Sequence, residues 1–238
     1  FLLFTALCFL GLERRSWWLA GIAGALATLT RQQGLFLVIP FAVKIWKIGV
    51  TKDESGWTRV VKPSASLFLI PLSYVLWLVY RWLALRDLSP NLRSIHSVIY
   101  GILISPSAFK VVPVQSFTWP WLALAQGVHK LVSAADVDIV ANLTCALWYL
   151  VMLVVSWPGL CVGDRLYTVA ITLVSFSYQT GLQHPYMGLP RHLSLALPVF
   201  CAFGAGVRPA WLRAVLFAIE FLGLLFLILS YVTKSWVP

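Results

Sequence analysis

Eight long apolar runs follow one another along this chain, most of them separated by short stretches rich in lysine and arginine. They cover 1–12, 16–30, 34–50, 65–85, 139–157, 166–182, 190–206 and 211–232. A helical membrane span needs about 20 apolar residues, and tilted or broken helices use fewer. Composition points the same way. The 238 residues are 60% hydrophobic and only 11% charged, with mean hydropathy +0.86. Soluble domains carry about 25% charged residues, so no water-soluble fold of this size could hide so much apolar surface. The runs are continuous, whereas a β-barrel would show short alternating segments. The expected fold is all-α: a polytopic transmembrane helical bundle of about seven to eight membrane segments, forming one integral-membrane domain over 1–238.

The net charge is +10, from 18 Lys and Arg against 8 Asp and Glu. In a soluble protein that excess would suggest nucleic acid. Here the cations cluster in short stretches between apolar runs, which favours topology and lipid contact. No nucleic-acid partner is expected. The basic stretches are Glu13-Arg14-Arg15, the region 44–63 (Lys44, Lys47, Lys52, Arg59, Lys62), the turn holding Arg165, and the turn holding Arg208 and Arg213. Placing all four in the cytoplasm satisfies the positive-inside rule. The turn at Arg31, the segment 86–138, the turn 183–191 and the C-terminal tail then share the opposite face.

The segment 86–138 is the one long connection. Within it, 119–133 is apolar on one side and carries Gln126, His129 and Lys130 on the other, which suits an interfacial helix in the headgroup layer. A crossing there instead would invert every segment after it. Most of the 12 tryptophans stand at segment ends, as in an aromatic belt. Cys8, Cys145, Cys161 and Cys201 are scattered, so neither zinc nor a disulfide framework is expected. The chain begins at Phe1, already inside an apolar run with no signal-peptide features. We therefore expect the N-terminal part of the protein to precede it.

Three constellations carry chemistry. In the first, Thr30-Arg31-Gln32-Gln33-Gly34 interrupts two apolar runs. A helix starting at Gly34 would point its N-terminal amides and dipole at that face, beside a guanidinium that can hold phosphate. The other reading of Arg31 is a snorkelling anchor. In the second, "QHPYMGLPRHLSLALPVF", Arg191 and His192 stand in the first turn of the next helix. An arginine there opposes the dipole and needs another reason. His184 is near, and each histidine alone also suits an interfacial polar role. The third is the outer segment, with Arg86, Asp87, Asn91, Arg93, His96 and Lys110. Asp87 is a base or the partner of Arg86. Asp136 and Asp138 suit the start of the 139–157 span. Glu220 is an acid deep in an apolar run, either functional or hydrogen-bonded between helices. No P-loop, Rossmann, zinc-protease or nucleophile-elbow motif occurs.

Two of these stretches carry a resemblance. "RRSWWLAGIAGALATLTRQQGLFLVIPFAV" resembles the helix–(TR-x-x-G)–helix segment of PIG-V-type mannosyltransferases, the GPI mannosyltransferase 2-like proteins. "GLPRHLSLALPVFCAFGA" is similar to that family's Pro-Arg-(Tyr/His) segment, with His192 where tyrosine is more usual. Their order, their spacing and the terminal "SWVP" also fit, so the resemblance covers essentially the whole chain. It implies a GT-C fold and transfer of a sugar, mannose first, from a polyprenyl- or dolichyl-phosphate donor to a lipid or glycan acceptor. The reaction would lie on the extracytoplasmic side of a bacterial plasma membrane or endoplasmic reticulum. Arg31, Gln33, Gly34, Arg191 and His192 would hold the lipid phosphate, with Arg93, His96 and His184 as outer-face contributors. The family's catalytic aspartate lies in the first outer loop after the first helix, and the resemblance implies that both precede Phe1, leaving this stretch inactive by itself. No metal ligand is assigned and metal dependence is left open; the lipid-phosphate sugar donor is the one small molecule the resemblance names.

Two other functions are weighed against this one. A transporter or flippase predicts polar residues through the middle of several spans and repeated halves; this chain places polarity at the outer face and shows no repeat. A lipid-linked glycan ligase would bind the same phosphate but move a whole glycan.

Overall fold

The computed structural model describes residues 1–50, 56–85, 116–133, 137–179, 186 and 188–232. Arg86, Asp87, Asn91, Arg93, His96, Lys110, Asp136 and His184 lie outside them, as does the side chain of Glu220. Among the described residues the regular elements are helices, apart from one two-residue strand pairing. Their contacts group into two compact units, Phe1–Val112 with Cys161–Ala170, and Pro113–Leu160 with Ile171–Pro238.

The first unit begins with α1 (Leu2–Glu13), α2 (Trp17–Thr30), a 3-10 turn (Gln32–Leu37) and α3 (Val38–Val50). It continues with α4 (Gly56–Leu67) and α5 (Leu69–Leu85). α1 stops in a Schellman turn. The Ser16 amide donates to the Gly11 carbonyl at 2.8 Å and the Arg15 amide to that of Leu12 at 3.3 Å. Arg15 takes the left-handed position of that turn, φ 55°. Glycine usually stands there, because a side chain costs about 1–2 kcal/mol in that conformation.

α2 packs with small residues inward and large ones outward. Ala20, Gly21, Ala23, Gly24, Ala27 and Thr28 are buried, while Leu19, Ile22, Leu26 and Leu29 are exposed. A soluble helix does the reverse. Small inward residues let backbones approach closely, as helices do in lipid. A Cβ on Gly11 would stand 2.7 Å from the Ala20 nitrogen, and one on Gly24 would stand 2.6 Å from Ile70 of α5.

The region 44–63 differs from a simple loop. Its described residues extend the helices, through Val50 of α3 and from Gly56 of α4. Lysines have good helix propensity and suit the C-terminal turn of α3. Pro63 sits inside α4, where the Ser66 hydroxyl donates to its carbonyl at 2.9 Å. α4 and α5 meet at Phe68.

The second unit holds β1 (Ser116–Phe117), α6 (Pro120–Ser133), α7 (Val137–Ser156), β2 (Tyr178–Gln179), α9 (Leu189–Leu193), α10 (Leu197–Gly206) and α11 (Ala210–Val232). Between the strands in sequence lies α8 (Val162–Ser177), whose first half belongs to the first unit and whose second half to this one. β1 and β2 pair antiparallel, Ser116 opposite Gln179 and Phe117 opposite Tyr178. The run 166–182 therefore stops being helical at Ser177. The run 190–206 is two helices, not one. Pro198 has no N–H to donate and its ring crowds the carbonyl four residues back, so α9 ends and α10 starts anew. At about 1.5 Å per residue, the ten residues of α10 fall well short of a hydrocarbon core.

Among the described residues, two helical stretches are long and apolar enough to cross a membrane: Val61–Tyr80 and Asp138–Gly159. Only 22% and 33% of them is buried inside the protein, so most of their apolar surface faces outward. α1, α2 and α10 are apolar but shorter.

Candidate functional site

In the first unit, Arg31 ends α2 with an extended backbone, φ −153° and ψ 133°, and its amide donates to the Ala27 carbonyl at 2.9 Å. The chain then reverses through the 3-10 turn, which packs on the end of α2. This corrects the expected helix start at Gly34. The turn begins at Gln32, α3 begins at Val38, and the Gly34 amide already donates to the Arg31 carbonyl at 2.8 Å. Gly34 is therefore no open anion donor. It is buried where a Cβ would stand 2.6 Å from the Ala27 carbonyl carbon and the Thr28 Cα, so the turn can close only over glycine. Thr28 and Thr30 donate their hydroxyls to the Gly24 and Ala27 carbonyls at 2.9 and 2.7 Å, satisfying the last turn of α2. Arg31 and Gln33 are half-buried beside it.

In the second unit, the Pro-Arg-His segment is a braced turn. Gly188 has φ 76°, a left-handed backbone that favours glycine. A Cβ there would stand 2.6 Å from Arg191 Nε, so the arginine side chain folds back over the glycine. The Leu189 amide donates to Asn142 Oδ1 at 2.9 Å, reaching across 47 positions to α7. Asn142 Nδ2 in turn donates to Asp138 Oδ1 at 2.9 Å. Asp138 is buried in the first turn of α7, where the helix dipole favours a carboxylate. That agrees with its reading as a helix-start residue. The Ser194 hydroxyl donates to the Arg191 carbonyl at 2.9 Å. The outcome is an exposed guanidinium on a backbone fixed from below. The His192 ring stacks on Tyr178, centroids 5.7 Å apart.

Two residues of this arrangement carried no functional reading in the sequence, Asn142 and Tyr186. Asn142 did leave a signal, as a lone carboxamide four residues after Asp138 in the apolar "VDIVANLTCALW". Tyr186 packs edge-on to Phe176 at 6.3 Å and against Gly127 of α6. Its hydroxyl is buried without a hydrogen-bond partner. Burial pushes that phenol well above its ordinary pKa, so it stays protonated and able to donate.

Two stability predictions follow from these contacts. Asn142→Ala leaves the Leu189 amide without its acceptor in a buried site. It should cost about 1–3 kcal/mol, read as a lower Tm in detergent and faster hydrogen exchange at Leu189. Tyr186→Phe removes an unsatisfied hydroxyl, and should leave stability unchanged or raise it by up to about 1 kcal/mol in the same melts.

The two candidate groups thus have different surroundings. Arg31, Gln33 and Gly34 belong to the first unit, and Arg191 and His192 to the second. Among the described residues no group of three or more His, Cys, Asp or Glu side chains gathers as metal coordination requires. Comparisons of the chain with protein-family models, curated proteins and solved structures find no match.

Proposed function

We propose that this chain is part of a multi-pass membrane glycosyltransferase of GT-C-like fold, with seven to eight membrane segments. It moves a sugar, mannose first, from a polyprenyl- or dolichyl-phosphate donor to an acceptor hydroxyl on the extracytoplasmic side. The observation that carries this reading is the braced Pro-Arg-His turn, where Asn142 and Asp138 fix the backbone and Arg191 is presented outward. The resemblance of the Arg31 and Arg191 segments to PIG-V-type enzymes adds the reaction class.

The chemistry fits the groups. As the anomeric C–O bond to the lipid phosphate breaks, negative charge grows on the phosphate. A preorganised guanidinium stabilises that charge more than it stabilises the ground state. Arginine suits the task because its fork can take two phosphate oxygens at once. His192, held by stacking on Tyr178, is placed beside the same guanidinium in sequence. Arg31 is the second phosphate candidate, with Gln33 at its side. Gly34 then serves by closing the turn that carries them.

Four of the buried hydroxyls count against a transporter. Thr28, Ser66, Ser73 and Ser175 donate to carbonyls three or four residues back in their own helices, at 2.7–2.9 Å. Hydroxyls spent in this way do not line a polar path.

The test is transfer by the full-length gene product in native membranes, supplied with radiolabelled polyprenyl-phosphate mannose, with nucleotide-linked mannose, or with a lipid-linked oligosaccharide. Label moving from the first donor, and falling when Arg31 is changed to alanine at equal protein level, supports the reading. Transfer only from the oligosaccharide would make the protein a ligase. No transfer from any donor would remove the reading and return Arg31 to a snorkelling anchor.

A further inference from the structure

A cavity of about 310 Å³, which Arg31 does not line, opens in the first unit where the end of α1, one face of α3 and the start of α8 meet. Its size is at the lower end for small-ligand pockets. Its walls are Phe9, Leu12, Pro40, Val43 and Ile48; its charged lining is Arg15, Lys44 and Lys47 with Glu13 and Asp164.

The sequence explains why cations face inward here. Pro40, Val43, Lys44, Lys47 and Ile48 recur at the three- and four-residue spacing that makes one face of a helix. That stripe would normally be wholly apolar, yet on α3 it carries two lysines towards its C-terminal end. Lys44 is engaged by Glu13 at 2.9 Å. Arg15 is supplied from the left-handed position of the Schellman turn, where glycine would be the relaxed choice. The strained backbone thus holds a guanidinium at this cavity. Among the described residues the lining holds three cations against two carboxylates, over an apolar wall.

We propose that this cavity binds the headgroup of an anionic phospholipid, its phosphate on Arg15 within the field of Lys44 and Lys47 and the first carbons of its acyl chains along Phe9, Leu12 and Val43. A free phosphate would meet the cations but leave the apolar wall uncovered. The proposal rests on the chain being embedded in a membrane, and on nothing about sugar transfer. Basic clusters beside membrane helices attract anionic lipid with about 1 kcal/mol per Lys or Arg, or roughly fivefold in affinity per cation.

Cys161 lines the cavity and is exposed, so it reports occupancy; Cys201 is exposed and does not line it. The full-length protein is placed in nanodiscs of phosphatidylcholine with or without phosphatidylglycerol. Modification by a neutral maleimide is then followed at each cysteine by mass spectrometry. Phosphatidylglycerol is expected to slow labelling of Cys161 about fivefold or more while Cys201 keeps its rate. Arg15→Gly is expected to remove most of that protection, and because glycine relaxes the turn, misfolding does not explain the loss. Lys47→Gln is expected to weaken it by a similar factor. Equal labelling of Cys161 in the two lipids would overturn the proposal, as would full protection in both variants. Protection by soluble glycerophosphate in detergent, equal to that by phosphatidylglycerol, would overturn the lipid assignment in favour of a soluble phosphate. None of these readouts uses sugar transfer, so their failure is distinct from failure of the transferase reading.

Discussion

On the proposed transferase reading, changing Arg191 to alanine is expected to lower sugar transfer by about 100- to 1,000-fold while leaving the protein folded. That range is the usual loss when one preorganised donor to a developing oxyanion is removed. The fold should survive because the brace does not depend on this side chain. Asn142 holds the turn through the Leu189 amide, and the Ser194 hydroxyl bonds the carbonyl of residue 191, which alanine keeps. Arg191→Lys separates two explanations. A lysine keeps the charge but not the bidentate fork, so a lysine variant nearly as impaired as alanine indicates two-point phosphate recognition. Recovery to near wild-type transfer would show that a point charge suffices. The loss should fall mainly on kcat, since the group acts where charge develops. A change confined to KM would mean that Arg191 binds donor and transition state equally, against the role assigned here.

The second large effect is on stability. Gly34→Ala should destabilise the first unit by about 3 kcal/mol, the upper part of the usual range for overpacking. The added Cβ meets the backbone of Ala27 and Thr28, and backbone inside a helix cannot rotate away as a flexible side chain would. The control is Gly204→Ala in α10, where a Cβ meets nothing within 4 Å. There alanine should be neutral or stabilising by up to about 1 kcal/mol, because glycine is a poor helix former. Equilibrium unfolding of the two variants in mixed micelles gives the comparison directly. Equal stability for both would show that the turn at Gln32–Leu37 is not closed against α2.

The division between local and long-range information is plain in these residues. Apolar run length, proline and charge are local signals. They were enough to place α1, α2 and α7, the helix after Trp119, and the interruption at Arg31, each within a few residues. They also carried the helical class, because long apolar runs bounded by charges leave few other choices. They could not give the sense of the Arg31 turn. Gly34 reads as a helix start in the sequence, and only packing against Ala27 and Thr28 makes it the point where the chain folds back. Run length also passed over the division of 190–206, which Pro198 marks locally although the apolar composition is continuous across the break. The brace from Asn142 to Leu189 and the cations gathered beside Leu12 and Val43 join residues far apart in the chain. Such contacts leave little mark on local pattern, because what they satisfy is a single buried amide or one wall of a cavity. The sequence by itself determined the helical class, the place of several helices and where cationic side chains interrupt them. The tertiary structure decided which of those side chains are braced, which backbone groups remain free, and which face of each helix turns inward, because burial and hydrogen-bond satisfaction are settled only when distant segments meet.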